Sequence, residues 1–210
     1  MAIRLILADD QEVIRKGLVC VLADQDMQIV AQASTCQEAI DATKANKPDV
    51  LLLDVLMPDM DGLDALELIR KEVPATNVVM ISAHDNLSYV ARAVALGAQD
   101  FLLKDVAPDV FRSTIRRVVG GEPAPPDTTF STIKARLQQR ADPKADDVPL
   151  TRREYQVLKH LSFGLSNREI GYSMKISVET VKEHVQNVLR KLNMPDRTAA
   201  AVWLVKREIG

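Results

Sequence analysis

Four apolar runs in the first half of the chain each end in a residue able to do chemistry. Leu5-Ile6-Leu7-Ala8 delivers Asp9 and Asp10, Val50-Leu51-Leu52-Leu53 delivers Asp54, Val78-Val79-Met80-Ile81 delivers Ser82, and Phe101-Leu102-Leu103 delivers Lys104. Unbroken apolar runs of this length read as strands buried on both faces. Open α/β sheets bind ligands beyond the carboxyl ends of such strands. If the four runs share a sheet, three acids, a hydroxyl and an amine meet at one rim. Converging carboxylates without equal cationic compensation repel one another unless a divalent cation joins them. An all-oxygen set with no Cys or His pair nearby points to Mg²⁺ rather than zinc. A metal bridging Asp54 to an incoming phosphoryl group would make that carboxylate a nucleophile. Lys104 would then neutralise charge on the transferred group, and Ser82 would meet one of its oxygens.

The elements that must position this rim alternate regularly. Strands are expected near 3–8, 28–33, 50–53, 77–82 and 99–103, with helices near 12–23, 36–45, 62–72, 86–95 and 108–119. Pro108 suits the first turn of the last helix, where a missing N–H costs little. The alternation implies an α/β domain over residues 1–120: a five-stranded parallel sheet, doubly wound, with right-handed crossovers.

Gly120-Gly121-Glu122-Pro123-Ala124-Pro125-Pro126-Asp127 cannot continue a helix, and Asp142-Pro143 to Val148-Pro149 is equally broken. Residues 121–147 therefore read as an interdomain linker. Ser131 to Arg140 could form a short helix within it, on a thin apolar stripe of Ile133 and Leu137. Residues 148–210 read as all-α with four helices. Thr151-Arg152-Arg153-Glu154 and Ser166-Asn167-Arg168-Glu169 are capping boxes, with Leu150 and Tyr155 placed as a hydrophobic staple. Gly164 stops the first helix, Ser177 caps a third to about Leu192, and Asp196 caps a fourth from Arg197 to about Ile209. A short turn at Lys175-Ile176 joins the second and third, the layout of a helix-turn-helix. The third carries Val178, Val181, Val185, Val188, Leu189 and Leu192 on one stripe. Lys182, Glu183, Gln186, Asn187 and Arg190 remain on the other side, a polar face suited either to solvent or to a major groove.

The net charge of -2 conceals an asymmetry. Residues 1–147 hold 16 basic and 23 acidic side chains, whereas 148–210 hold 11 and 6, so the tail is suited to an anionic partner. No apolar stretch approaches the roughly 18 residues that span a bilayer, and Asp9-Asp10 interrupts the N-terminal run, so a cytoplasmic protein without a membrane partner is expected. Cys20 and Cys36 lack metal-type spacing and read as buried, reduced thiols.

Asp9-Asp10, Asp54 with Met57-Pro58-Asp59-Met60-Asp61-Gly62, Ser82-Ala83, and Phe101-Leu102-Leu103-Lys104 together resemble a response-regulator receiver domain over residues 1 to about 120. The resemblance implies that Asp54 is the phosphoacceptor and that Asp10 and Asp54 ligate Mg²⁺ directly. It implies further that Asp9 helps through water, that the Leu56 carbonyl is another ligand, and that Ser82 and Phe101 form a switch pair. His84 would flank the site. Asp105 follows the lysine where receivers often have proline.

The tail, through Leu150-Thr151-Arg152-Arg153-Glu154, Gly164 to Ile170 and Ser177 to Val185, resembles the LuxR-type helix-turn-helix of NarL-like regulators. By that resemblance Lys182, Glu183 and Gln186 face base edges, while Thr180, Asn187, Arg190 and Lys191 meet phosphates; His184 matches a family histidine. Gly171 stands where the family usually has Ala, and Asn193 replaces a frequent Gly. The implied partners are DNA, a histidine kinase and a second copy of the chain, with RNA polymerase as a further possible one. The reading is a phosphorylation-controlled transcriptional regulator, not an enzyme beyond its own phosphorylation and dephosphorylation. One rival is a regulator that binds DNA without phosphate. A second, a Mg²⁺-dependent phosphohydrolase resembling haloacid dehalogenases, would want an acid at position 56, which is Leu. A third, a pure protein-interaction module, leaves the basic tail unexplained.

Overall fold

In the computed structural model, which describes residues 2–138 and 149–209, the apolar runs form strands β1 (Ile3–Ala8), β2 (Met27–Ala33), β3 (Val50–Asp54), β4 (Asn77–Ser82) and β5 (Asp100–Leu103). Helices α1 (Glu12–Val21), α2 (Cys36–Asn46), α3 (Gly62–Glu72), α4 (Leu87–Ala95) and α5 (Pro108–Val119) alternate with them. All pairings are parallel, in the order β2-β1-β3-β4-β5. The register gathers the carboxyl ends of the strands at one edge, with β3 and β5 ending one and two residues beyond β1: Ala8 lies opposite Leu53, Asp54 opposite Ile81, and Ser82 opposite Leu103. Asp9 after β1, Asp54 at the end of β3 and Lys104 after β5 therefore emerge at the same edge.

Alternate strand residues supply two cores. Leu5, Leu7, Val50, Leu52, Val79 and Ile81 pack with Leu18 and Leu22 below α1 and with Phe111, Ile115 and Val118 of α5. Ile6, Leu51, Leu53, Val78 and Met80 point to the opposite face, which α2, α3 and α4 cover. Every one of these strand residues is fully buried, each contributing roughly 1.5–3 kcal/mol of burial. That double burial explains why β1, β3 and β4 read as unbroken apolar runs, while the edge strand β2 admits Gln28 and Gln32 and is mostly half-buried or exposed.

Cys36 is buried at the start of α2, but Cys20 is exposed, contrary to expectation. The inward stripe of α1 is Ile14, Leu18 and Val21, and position 20 falls beside it.

The chain divides into two compact units, 1–130 and 131–210. A helix α6 (Thr129–Gln138) spans the division, where a weaker one was expected over 131–140. Phe130 is the reason: with Ile133 and Leu137 it completes a buried i, i+3, i+7 stripe. Gln139, Arg140 and the broken stretch Asp142 to Val148 lie outside the described residues. Helices α7 (Arg152–Ser162), α8 (Asn167–Met174), α9 (Val178–Leu192) and α10 (Arg197–Ile209) follow, so the described residues of the second unit hold four helices and most of α6.

Both capping boxes form. Thr151 accepts from the Glu154 N–H while Glu154 accepts from the Thr151 N–H, and Ser166 and Glu169 do the same. Gly164 (φ 76°) ends α7, and Asn193 (φ 52°) takes the left-handed conformation that a glycine would otherwise supply. Lys175 (φ 55°) makes the α8–α9 turn left-handed as well. The turn sits so close that a Cβ on Gly171 would lie 2.9 Å from the Ile176 carbonyl oxygen, which gives the helix-interior glycine a packing reason.

His160 fastens α7 to α8. Its Nδ1 donates to the Gln156 carbonyl (2.7 Å), leaving Nε2 to accept from the Ser173 hydroxyl (3.0 Å). Burial holds its pKa below the ordinary 6.5, against the opposing Gln156 contact. A neutral folded His and a titratable unfolded one mean that stability is complete above pH 6.5 and declines as the pH falls from there towards the lower folded value. Denaturation followed by Trp203, the chain's single tryptophan, should show that decline, and His160→Gln should flatten it.

Candidate functional site

Lys104 lies at the centre of the rim. Its Nζ is 2.8 Å from Asp54 Oδ2 and 2.6 Å from Asp9 Oδ2, and both carboxylates are buried. Asp10 is exposed beside them; Asp9, Asp10 and Asp54 offer carboxylate oxygens within 4.8 Å of one another. Burial raises the Asp54 pKa against the opposing pull of Lys104. Burial would lower that of Lys104, but its contacts with Asp54 and Asp9 raise it. One ammonium thus faces two buried carboxylates and a third at the edge. Among the described residues Asp9 Oδ2 is buried with no aligned hydrogen-bond donor and with the Lys104 ammonium alone to offset it. A buried oxygen so underserved, within an oxygen-only set, fits a hard divalent cation.

The loop after Asp54 is closed on itself and tied to two helices. Leu56 N–H points to Asp54 Oδ1 (3.4 Å), Leu56 bridges Asp61, and Gly62 N–H donates to the Val55 carbonyl (2.8 Å). Asp59 accepts from the Cys36 and Gln37 N–H groups (2.9 and 3.0 Å), capping α2 from the opposite loop. Asp61 caps α3 through Leu63 N–H and accepts from Arg92 of α4 (2.8 Å). Neither tie was foreseen, because each joins residues more than twenty positions apart.

Ser82 is buried, and its hydroxyl both donates to the His84 carbonyl (3.1 Å) and accepts from the His84 N–H (3.0 Å). Phe101 is half-buried on β5 and His84 is exposed. The Lys104–Asp105 peptide is trans.

In the second unit, α9 presents Lys182, Glu183, Gln186 and Arg190 to solvent, with Asn187 and His184 half-buried. Its inward stripe is Val181, Val185 and Val188; Val178, in the first turn, is 38% exposed rather than covered. Lys182 pairs with Glu179 (2.8 Å), Arg190 bonds Asn187 (3.0 Å), and the Thr180 hydroxyl meets Ser177 (2.9 Å). Lys191 is engaged across the unit with the buried capping residue Glu154 (2.7 Å), which ties the last turn of α9 to the start of α7. That pair and the Arg197 bonds to the Leu165 carbonyl (2.6 Å) and Asn167 (3.3 Å) fix the helices that carry the turn.

Two family models match: the response regulator receiver domain over residues 5–116, and the luxR family of bacterial regulatory proteins over residues 148–204. The uncharacterized transcriptional regulatory protein YhcZ of Bacillus subtilis is 37% identical over 205 residues, covering 97% of this chain and 95% of that protein. The response regulator VraR of Staphylococcus saprophyticus is 32% identical over 210 residues, covering 100% and 99%. Among solved structures, the response regulator ChrA of a heme-sensing two-component system is 28% identical, covers 100% of this chain and 99% of its own, and has a TM-score of 0.53. The receiver domain of AraT, a response regulator from Geobacillus stearothermophilus, is 31% identical over 58% of this chain and 95% of its own, with a TM-score of 0.53.

Gly62 sets how closely α3 approaches the strand that carries Asp54. A Cβ there would sit 1.9 Å from the Asp54 carbonyl oxygen, an overlap only backbone movement relieves. Gly62→Ala should therefore cost about 1–3 kcal/mol or more in urea denaturation, through overpacking of a closed loop.

Proposed function

Since the chain belongs to the response regulators that join a receiver domain to a LuxR-type DNA-binding domain, we propose that phosphorylation of Asp54 controls how helix α9 engages DNA. The family comprises transcriptional regulators of two-component systems rather than classical enzymes, and it implies DNA and a histidine kinase as partners. Among the described residues no helix is long and apolar enough to cross a membrane; the cytoplasmic location we propose rests on the DNA-binding family to which the tail belongs. The proposed division is a receiver over 1–120, a linker over 121–147 that includes α6, and an effector over 148–210.

The observation that carries this reading is the meeting of Asp9, Asp54 and Lys104, from three separate strands, with Asp10 at their edge. Asp10, Asp54 and the Leu56 carbonyl would hold Mg²⁺, with Asp9 acting through water. Bound there, the ion offsets the charge of the carboxylates and of the incoming phosphoryl group. An Asp54 oxygen attacks the phosphorus of a phosphohistidine or an acyl phosphate. The bond to the donor breaks with its electron pair going to the leaving group, which takes up a proton if it is the imidazole of a histidine and departs as the anion if it is a carboxylate. Lys104, freed of part of its hold on Asp54, stabilises the transferred group, and Ser82 exchanges its bonds with His84 for a phosphoryl oxygen while Phe101 repacks behind it.

On the effector, Lys182, Glu183 and Gln186 read base edges, and Thr180, Asn187, Arg190 and Lys191 meet phosphates, which fix register. The Lys182–Glu179 pair is exposed; such pairs contribute at most about 1 kcal/mol, so a guanine can replace Glu179. Lys191 keeps its bond to Glu154, since leaving would strand a buried carboxylate, and reaches a phosphate with its remaining donors. Two copies on paired half-sites would then present the promoter to RNA polymerase.

Incubation with radiolabelled acetyl phosphate and Mg²⁺ should label the wild-type chain and leave Asp54→Asn unlabelled; equal labelling of both would exclude Asp54 as acceptor. On the operator selected from random DNA, Lys182→Ala should lose about 1–3 kcal/mol of affinity and some discrimination. Unchanged binding and selectivity would remove Lys182 from base reading.

A further inference from the structure

Arg15, on the second turn of α1, directs its guanidinium at backbone rather than at charge. Its Nη1 donates to the carbonyl of Asp9 (2.7 Å) and to that of Asp10 (3.2 Å). Among the described residues it makes no ion pair, although Asp9, Asp10 and Glu38 lie in its neighbourhood. An arginine placed near several carboxylates and bonded instead to two successive carbonyls leaves the carboxylate oxygens available to another cation.

Those two carbonyls belong to the stretch between β1 and α1, which has few other anchors. Asp9 remains attached to the sheet through its N–H to Ala33 (3.2 Å), and its Oδ1 accepts from Gln11 N–H (2.9 Å). The exposed Asp10 carboxylate has no hydrogen-bond partner among the described residues. The Asp10–Gln11 peptide is held at both ends, its N–H by Asp9 Oδ1 and its carbonyl by Arg15. The Asp9–Asp10 peptide before it is held through its carbonyl by Arg15. Arg15 is thus the side chain that touches both peptides flanking Asp10, and those two planes set the direction in which the Asp10 side chain projects.

Resting on the reading of Asp9, Asp10 and Asp54 as the Mg²⁺-binding triad, we propose that Arg15 is a positioning residue for it, clamping the Asp9 and Asp10 carbonyls so that their carboxylates converge on Asp54. The two N–H bonds of one guanidinium nitrogen diverge at a fixed angle in one plane, which suits two carbonyls in sequence. A lysine has the same charge but a stem one bond shorter and a freely rotating head, so it loses the clamp. Charge and geometry act in opposite directions on the metal. Removing a cation from the rim favours Mg²⁺, whereas releasing the ligands disfavours it. Arg15 is half-exposed, so its charge is screened and geometry prevails.

Calorimetric titration of MgCl₂ into the full chain, with Arg15→Lys and Arg15→Gln in parallel and circular dichroism of each in EDTA, tests the clamp. Both variants should keep the wild-type spectrum in EDTA and bind Mg²⁺ about 10- to 100-fold more weakly, as loss of a group that orients metal ligands does. Wild-type affinity in either variant, tighter binding by Arg15→Gln, or loss of the fold in EDTA would overturn the assignment. Absence of Mg²⁺ binding by the unaltered chain would instead remove the triad reading itself, and the role of Arg15 with it.

Discussion

The receiver is organised by a shortage of positive charge. Two carboxylates, Asp9 and Asp54, are buried against one ammonium, Lys104. Burying an ion costs several kcal/mol even after relaxation, so this arrangement persists only where surrounding structure holds the three groups at contact distance. The parallel register does so, because it brings Asp9 after β1, Asp54 at the end of β3 and Lys104 just beyond β5 to the same edge of the sheet. The two apolar layers keep the strands from sliding. The remaining negative charge at the rim is what the proposed function uses, and a sheet that neutralised it fully would have no affinity for a cation or a phosphodonor.

A change at Asp54 has short routes outward. The loop from Asp54 to Gly62 reaches α2 through Asp59 and α4 through the Asp61–Arg92 ion pair, while Ser82 begins the loop that leads into α4. In the state described, the Ser82 hydroxyl is satisfied locally by His84, through neutral hydrogen bonds each worth about 1 kcal/mol. A phosphoryl oxygen offers a charge-assisted bond of roughly twice that strength. The preference of Ser82 would therefore reverse on phosphorylation without any large barrier of desolvation, since the hydroxyl moves between two polar partners inside one buried site.

The parts of this molecule legible in the sequence are those governed by neighbours in the chain. Strands buried on both faces leave continuous apolar runs, and the capping boxes of α7 and α8 are spelled out in four residues each. Asn193 as a left-handed cap was legible for the same reason, since Asn tolerates that conformation. Lys47 and Lys175 were not, because lysine has no such preference and the fold imposes the conformation on it. The meeting of Asp9, Asp54 and Lys104 was legible only because each ends an apolar run. Arg15 and Arg92 carry no comparable signal, since each alone reads as a solvated charge. Asp59 belongs to a family motif and Lys191 reads by resemblance as a phosphate contact, but the bonds they make to α2 and to Glu154 lie in partners that only the packed chain supplies. Gly62 is similar, since its neighbour across the overlap is a backbone carbonyl that no side-chain pattern announces.

The charge distribution constrains how a signal at Asp54 reaches DNA. Residues 1–147 carry seven more acidic than basic groups, and phosphorylation of Asp54 exchanges its single carboxylate charge for a phosphoryl group of roughly two, a net gain of about one negative charge. Any long-range effect of that charge on a polyanion is repulsive, and it fades beyond about 8 Å at physiological ionic strength. If phosphorylation strengthens DNA binding, it must do so against its own electrostatics. The gain has to come from rearranged packing, which frees α9 or brings two copies together, because association doubles the set of phosphate contacts made by Lys and Arg of the basic tail whereas the added charge by itself can only subtract from them.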